Sequence, residues 1–270
     1  VASIEAGLAD LGRLDRLSRQ DTAVHRLDPR TKVAVTFAYL LCVVSFGKYE
    51  VTALLPFALF PVALAATGNL PFGYLARKVA AFAPFAVMVG LFNPLLDRAV
   101  VLHAGPVEIS GGWVSFASIL VRFALTLGAA LVLVGTTSFH GVCAALERLG
   151  TPRAFATQLL FLHRYLFVLG DEAARTSRAR ALRSVGGRGM GMKVYGQIVG
   201  HLLLRTLDRA QRIHLAMRCR GFDGRIRSSA PLSAGWADAR FALGWCAAFA
   251  LFRLVHVPRL VGSLVEGAVR

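Results

Sequence analysis

The chain has 270 residues, of which 56% are hydrophobic and only 17% charged, yet its formal net charge is +16. A soluble domain of this length buries its core with fewer apolar residues, so the excess calls for a second, apolar solvent. Surplus base on so apolar a chain fits a membrane protein with basic loops and excludes an ordinary nucleic-acid binder, which is basic without being this hydrophobic.

Residues 1–32 mix acids and bases, which predicts no secretory signal ahead of the first span. Ile4, Leu8, Leu11 and Leu14 recur at helical spacing among charges. That pattern predicts an amphipathic helix over 3–19 at the membrane surface. Asp28 before Pro29 predicts a helix start, because a carboxylate caps free N–H groups and proline fits the first turn. Five apolar runs of bilayer length follow, at about 33–48, 51–67, 79–96, 113–137 and 241–258. Pro56, Pro61 and Pro84 fall inside spans, where neighbouring helices must satisfy the freed carbonyls. Ala124 and Gly128 form a small-xxx-small step that predicts close helix approach on the fourth span.

Orientation follows from the bases. The 68–78 loop carries Arg77 and Lys78, and the 97–112 loop sets one arginine against Asp97 and Glu108. The stretch 139–240 has 17 Lys/Arg and 6 Asp/Glu, a net of 17 − 6 = +11. The positive-inside rule then places the N-terminus and 139–240 in the cytoplasm, and the 97–112 loop and the C-terminus outside. The predicted architecture is an all-α membrane protein with about five transmembrane helices and a cytoplasmic domain of long helices. Its segments are 1–32 (amphipathic, cytoplasmic), 33–138 (four spans), 139–240 (cytoplasmic helices), 241–258 (last span) and 259–270 (external tail).

Arg122 and Arg253 lie within predicted spans. Membrane arginines are costly and mark function, or else they snorkel or pair inside the bundle. Cys42, Cys143, Cys219 and Cys246 show no CxxC spacing and read as small hydrophobes in a reducing compartment. The seven histidines are scattered, with no HxxxH and no carboxylates at ligand spacing, so no metal is expected on this chain. His163 and His214 read as polar-face or packing residues. There is no GxxxxGK[ST] loop for ATP and no GxSxG, and the spans hold almost no carboxylates, which weighs against a membrane enzyme. Missing internal repeats and the scarcity of ionisable residues in the spans weigh against a permease acting alone.

The region 139–240 carries the chemistry. A short helix over 139–149 ends at Gly150. A long helix over 154–184 has an apolar stripe of Phe155, Leu159, Leu162, Leu166, Leu169 and Ala173, which continues in phase to Thr176, Arg180 and Arg183. Gly186, Gly187, Gly189 and Gly191 break it. A second long helix over 193–220 has the stripe Tyr195, Ile198, Leu202, Thr206, Ala210, Ile213 and Met217, reaches Arg220 in phase, and stops at Gly221. Its other face holds Arg205, Asp208, Arg209 and Arg212. Both helices thus end in an arginine followed by a glycine-bearing stop. A helix C-terminus favours a cation by itself, but an exposed arginine among small and apolar residues also suits an acidic groove on another protein.

Three stretches carry a resemblance: Asp21-Thr-Ala-Val-His-Arg-Leu-Asp-Pro-Arg-Thr-Lys32, Arg178-Ala-Arg-Ala-Leu-Arg-Ser184, and Arg209 through Gly224. With the order of spans and helices, they make the chain similar to the T component of energy-coupling factor (ECF) transporters, most closely its CbiQ-like members in cobalt and nickel uptake. The resemblance implies a non-catalytic coupling subunit in the bacterial inner membrane. Its partners would be a paired ABC-type ATPase, a CbiM-like substrate-binding S component, a small accessory membrane subunit and the bilayer, with no nucleic acid. It implies ATP and magnesium on the ATPase, cobalt or nickel on the S component, and no cofactor on this chain; a vitamin-uptake T component is the alternative. In that family, arginine triplets at two coupling helices dock the ATPases. Here they correspond to Leu182-Arg183-Ser184, with Arg180 as the alternative register, and to Cys219-Arg220-Gly221.

Overall fold

The computed structural model describes residues 2–96, 100–104, 107–183, 191–224 and 235–254. The chain divides into two units, one of Val1–Arg16 with Phe139–Pro231 and one of Leu17–Ser138 with Leu232–Arg270. The 259–270 tail and Ser184 lie outside the described residues.

In the second unit, helix α2 runs Pro29–Val44 and is capped by Asp28, whose carboxylate accepts the Arg30 N–H at 2.9 Å. The next stretch is helical over 51–67 but not uniform: α3 (Val51–Leu54), a 3-10 turn (Leu55–Ala58) and α4 (Leu59–Thr67). Pro56 sits in the tightened turn, where its missing N–H costs least. Asn69 takes the left-handed conformation (φ 54°) after α4, and the Leu70 N–H returns to the Ala65 carbonyl at 2.9 Å.

Helix α5 (Phe72–Gly90) begins seven residues before the expected 79, so Arg77 and Lys78 stand in its first turns and not in a loop. Long basic stems reach outward from an apolar helix, and Lys78 Nζ lies 5.7 Å from the Tyr74 ring one turn back. A short α6 (Phe92–Leu96) follows. Strands β1 (Val100–Ala104) and β2 (Val107–Ser110) then pair antiparallel where a plain loop was expected. Helix α7 is Gly111–Thr136, and α11 is Trp236–Leu254. Two of these segments, Phe72–Pro94 and Gly111–Thr136, are individually long and apolar enough to cross a bilayer. Phe82, Phe85 and Met88 of α5 are exposed, as a lipid-facing surface requires.

The core of this unit is aromatic. Tyr39 of α2 stacks on Phe60 of α4 (4.7 Å between centroids), and both meet Phe249 of α11 (5.5 and 5.3 Å). The Tyr39 hydroxyl donates to the Phe57 carbonyl at 3.2 Å, so the buried phenol is satisfied.

The close helix approach lies elsewhere than Ala124 and Gly128. A Cβ on Gly128 would meet nothing within 4 Å, and Ala124 is exposed. It is Gly90 of α5 that admits Phe116 of α7, whose ring would lie 2.8 Å from a Cβ there. Gly90→Val should therefore lower stability by about 1–3 kcal/mol through overpacking. Gly128→Ala should be neutral or raise it by up to about 1 kcal/mol. Thermal melts of the two variants in one detergent decide this, and equal midpoints would remove Gly90 as the contact point.

In the first unit are α1 (Ala2–Leu17, with Leu17 itself in the second unit), α8 (Phe139–Arg148), α9 (Arg153–Arg183) and α10 (Met192–Cys219). Gly150 closes α8 with φ 109°, and the Thr151 N–H bonds the Leu146 carbonyl at 3.1 Å. His163 of α9 stacks on Phe139 of α8 with centroids 4.5 Å apart, a packing role.

Candidate functional site

Helices α9 and α10 pack antiparallel. Arg183 and Thr176 of α9 share a cleft with Val194 and Ile198 near the start of α10. At the other end Gln158 and Phe161 share one with Ile213 and Met217. The Thr157 hydroxyl also donates to the Gly224 carbonyl at 3.3 Å.

The two C-terminal ends therefore point in opposite directions. About 26 residues of α10 separate the level of Arg183 from Arg220, which at the helical rise is about 40 Å. Arg183 is the last residue of α9 and is exposed. Leu182 beside it is 89% exposed. Arg180 and Arg183 line one open cleft of about 490 Å³ with Arg205 and His201, so both registers of the first triplet present a cation on the same face.

At the far end Arg220 is the C-cap of α10, flanked by exposed Cys219 and by Gly221 with φ 76°. The Phe222 N–H bonds Met217 O at 3.0 Å and the Gly221 N–H bonds Arg218 O at 3.0 Å. This two-bond closure needs a residue that tolerates positive φ, which glycine does without a Cβ penalty. The turn ends the helix with Arg220 exposed.

The sequence did not single out Glu172. Its carboxylate accepts from Arg205 Nη1 across to α10 and from Arg175 Nη2 at 3.2 Å on its own helix. The bridge is largely solvated and contributes at most about 1 kcal/mol. It does fix which turn of α9 faces which turn of α10. The available signal was that Asp171 and Glu172 are the only acids in a 31-residue helix.

The stretch 21–32 has a structural explanation in the other unit. Helix α7 leaves its last carbonyls without partners in its own backbone. His25 Nε2 reaches Gly135 O at 3.4 Å and Leu17 O at 3.1 Å, and Lys32 Nζ donates to Thr136 O at 2.8 Å. The reverse also holds. Arg122 of α7 donates through Nη2 to Phe46 O (3.0 Å) and Gly47 O (2.6 Å) just beyond α2. Arg253 of α11 adds Ser45 O at 3.4 Å and stands 4.3 Å over the Phe46 ring. Thus α2 and α7 run antiparallel, and each supplies a cation to the C-terminal end of the other.

Two carbonyl acceptors make Nε2 the protonated nitrogen of His25, with Nδ1 accepting from the Thr22 hydroxyl at 2.8 Å. Burial, reinforced by the charge of Lys32, pushes the imidazole below its ordinary 6.5, against the two carbonyl bonds and Asp21. The fold therefore prefers neutral His25. Its contribution is present above the ordinary value and is lost as pH falls below it toward the lowered folded value, because the unfolded chain takes the proton more readily. The melting midpoint should fall between about pH 7.5 and pH 5.5, with His25→Gln flattening part of that slope. An equally steep slope in the variant would show that another group titrates.

Residues 20–231 match the family model described as CbiQ, cobalt transport protein. The energy-coupling factor transporter transmembrane protein EcfT of Leuconostoc gelidum subsp. gasicomitatum is 28% identical over 221 residues, covering 76% of this chain and 81% of that one. The cobalt transport protein CbiQ of Rhodobacter capsulatus is 28% identical over 193 residues, 69% of this chain and 78% of that one. The nickel permease LarQ of Lactiplantibacillus plantarum is 30% identical over 103 residues, 38% of each.

Proposed function

Because the chain belongs to the CbiQ family, whose members are membrane components of transporters and not enzymes, we propose that it is the coupling subunit of an ECF-type importer. In this role it passes the motion of a paired ABC-type ATPase to a membrane S component that carries cobalt(II). One observation supports this above the others: two antiparallel helices end in exposed arginines, Arg183 and Arg220, at opposite ends of the pair. Two separated cations suit two separate acidic grooves, as a dimeric partner would offer, better than one ligand. The unit holding them faces the cytoplasm with the N-terminus, and the chain crosses the bacterial inner membrane several times.

The mechanics follow from stiffness. A continuous helix transmits displacement along its axis, so closing of the ATPases moves both tips and drives the pair as levers. The test is reconstitution with the ATPase pair and S component in liposomes. ATP-dependent accumulation of radioactive cobalt(II) is expected, with none for this chain alone. Accumulation of nickel(II) or of a vitamin in its place would reassign the cargo. Hydrolysis by the purified chain without partners would overturn the role itself.

A further inference from the structure

The chain passes between its two units at three places: after Arg16, after Ser138 and after Pro231. In the 17–138/232–270 unit, the segment next to each passage is bonded to the short stretch 25–32. Leu17, the first residue past the first passage, gives its carbonyl to His25 at 3.1 Å. Gly135 and Thr136, just before the second, give theirs to His25 at 3.4 Å and Lys32 at 2.8 Å. Gly235, shortly after the third, donates its N–H to Asp238 Oδ2 at 2.7 Å, while the other oxygen of Asp238 accepts the Asp28 N–H at 2.7 Å.

The charged members are deeply buried: Lys32 is 2% exposed, Asp28 5% and Asp238 6%. Helix ends can be closed with solvent or glycine, so a buried set of charges is a costly way to achieve stability alone. What such a set supplies is geometry, since charge-assisted bonds are short and directional. Here they gather segments 104 and 210 residues apart in sequence onto one helix start.

We infer that His25, Asp28, Lys32 and Asp238 form a fulcrum: positioning residues that hold Leu17, Gly135–Thr136 and Gly235, the described residues flanking the three passages, in one body with α2, α7 and α11. This rests on the coupling role proposed above. Displacement of the cytoplasmic levers can enter the other unit through those links along the chain. If the links were slack, ATP would be spent on bending them. With the links fixed in one frame, displacement reaches three helices together.

The test uses the full complex in liposomes and compares wild type with Asp238→Asn, Lys32→Met and the milder His25→Ala, which leaves the buried charges in place. Four quantities are read: ATPase co-purification, melting midpoint, ATP turnover and cobalt(II) taken up per ATP. In parallel, spin labels are placed at the exposed positions Leu207 of α10 and Leu243 of α11, after replacement of the native cysteines. They report the ATP-dependent change in separation without reference to cargo.

Asp238→Asn and Lys32→Met should keep the ATPases bound and ATP turnover within about threefold, while uptake per ATP falls tenfold or more. His25→Ala should lower uptake per ATP about threefold. The ATP-dependent shift between labels should shrink and its distribution broaden. Wild-type uptake per ATP in intact variants would overturn the inference. So would variants that fail to assemble alongside a fully coupled His25→Ala, since the cluster would then serve folding only. A wild-type complex that binds no ATPase would instead overturn the coupling role.

Discussion

Exchanging both Arg183 and Arg220 for glutamate should release the ATPase pair from the purified complex while leaving the chain inserted and folded. Each arginine is exposed at a helix end, so neither exchange opens the core. Reversing a charge seated in a complementary groove costs about 2–5 kcal/mol, or about 30- to 4,000-fold in affinity. The two sites are about 40 Å apart along the helix pair, so the losses should add. Either single variant should still retain part of the ATPase, held by the other tip, and the double variant almost none. Arg180→Glu settles the register of the first triplet: release equal to that of Arg183→Glu would assign the groove to both. Normal co-purification by the double variant would end the docking model.

What was legible in the sequence was local. Asp28-Pro29 announces a capped helix, and Cys219-Arg220-Gly221 announces a left-handed stop, because caps and stops are decided within a few residues. The long stripes of α9 and α10 were legible for the same reason, since 3.6-residue periodicity survives without any knowledge of the partner. The start of α5 was not, because Arg77 and Lys78 look like a loop to any hydropathy window, although their stems extend outward from a helix. Nor was the partner of any polar group distant in the chain. Lys32 read as the end of the stretch that carries the resemblance, and Asp28 as a cap. That they bind Thr136 and Asp238 depends on how the helices pack, which no spacing rule encodes. Gly128 failed as a contact for the same reason: a small residue permits close approach, but only the neighbour decides whether it happens, and the neighbour chose Gly90.

The second large effect concerns Arg122, which the sequence left open between a functional charge and one paired in the bundle. Its guanidinium binds two successive carbonyls beyond α2. Replacing it with methionine keeps most of the side-chain volume but takes this donor from the Phe46 carbonyl and leaves the Gly47 carbonyl with the Glu50 N–H at 3.2 Å. A bond to a charged group is worth about 1.5–3 kcal/mol net. Arg122→Met should therefore cost about 2–4 kcal/mol and lower the melting midpoint in detergent by about 5–12 °C. Arg253→Met removes one longer bond and a ring contact at the same turn, so about 1 kcal/mol is expected from it. Because both arginines serve residues 45–47, the double variant should lose less than the sum. ATPase co-purification should stay at wild-type level in all three, since the arginines proposed to dock belong to the other unit. If Arg122→Met melted with the wild type while Arg253→Met did not, the fastening of α2 would belong to α11 and not to α7.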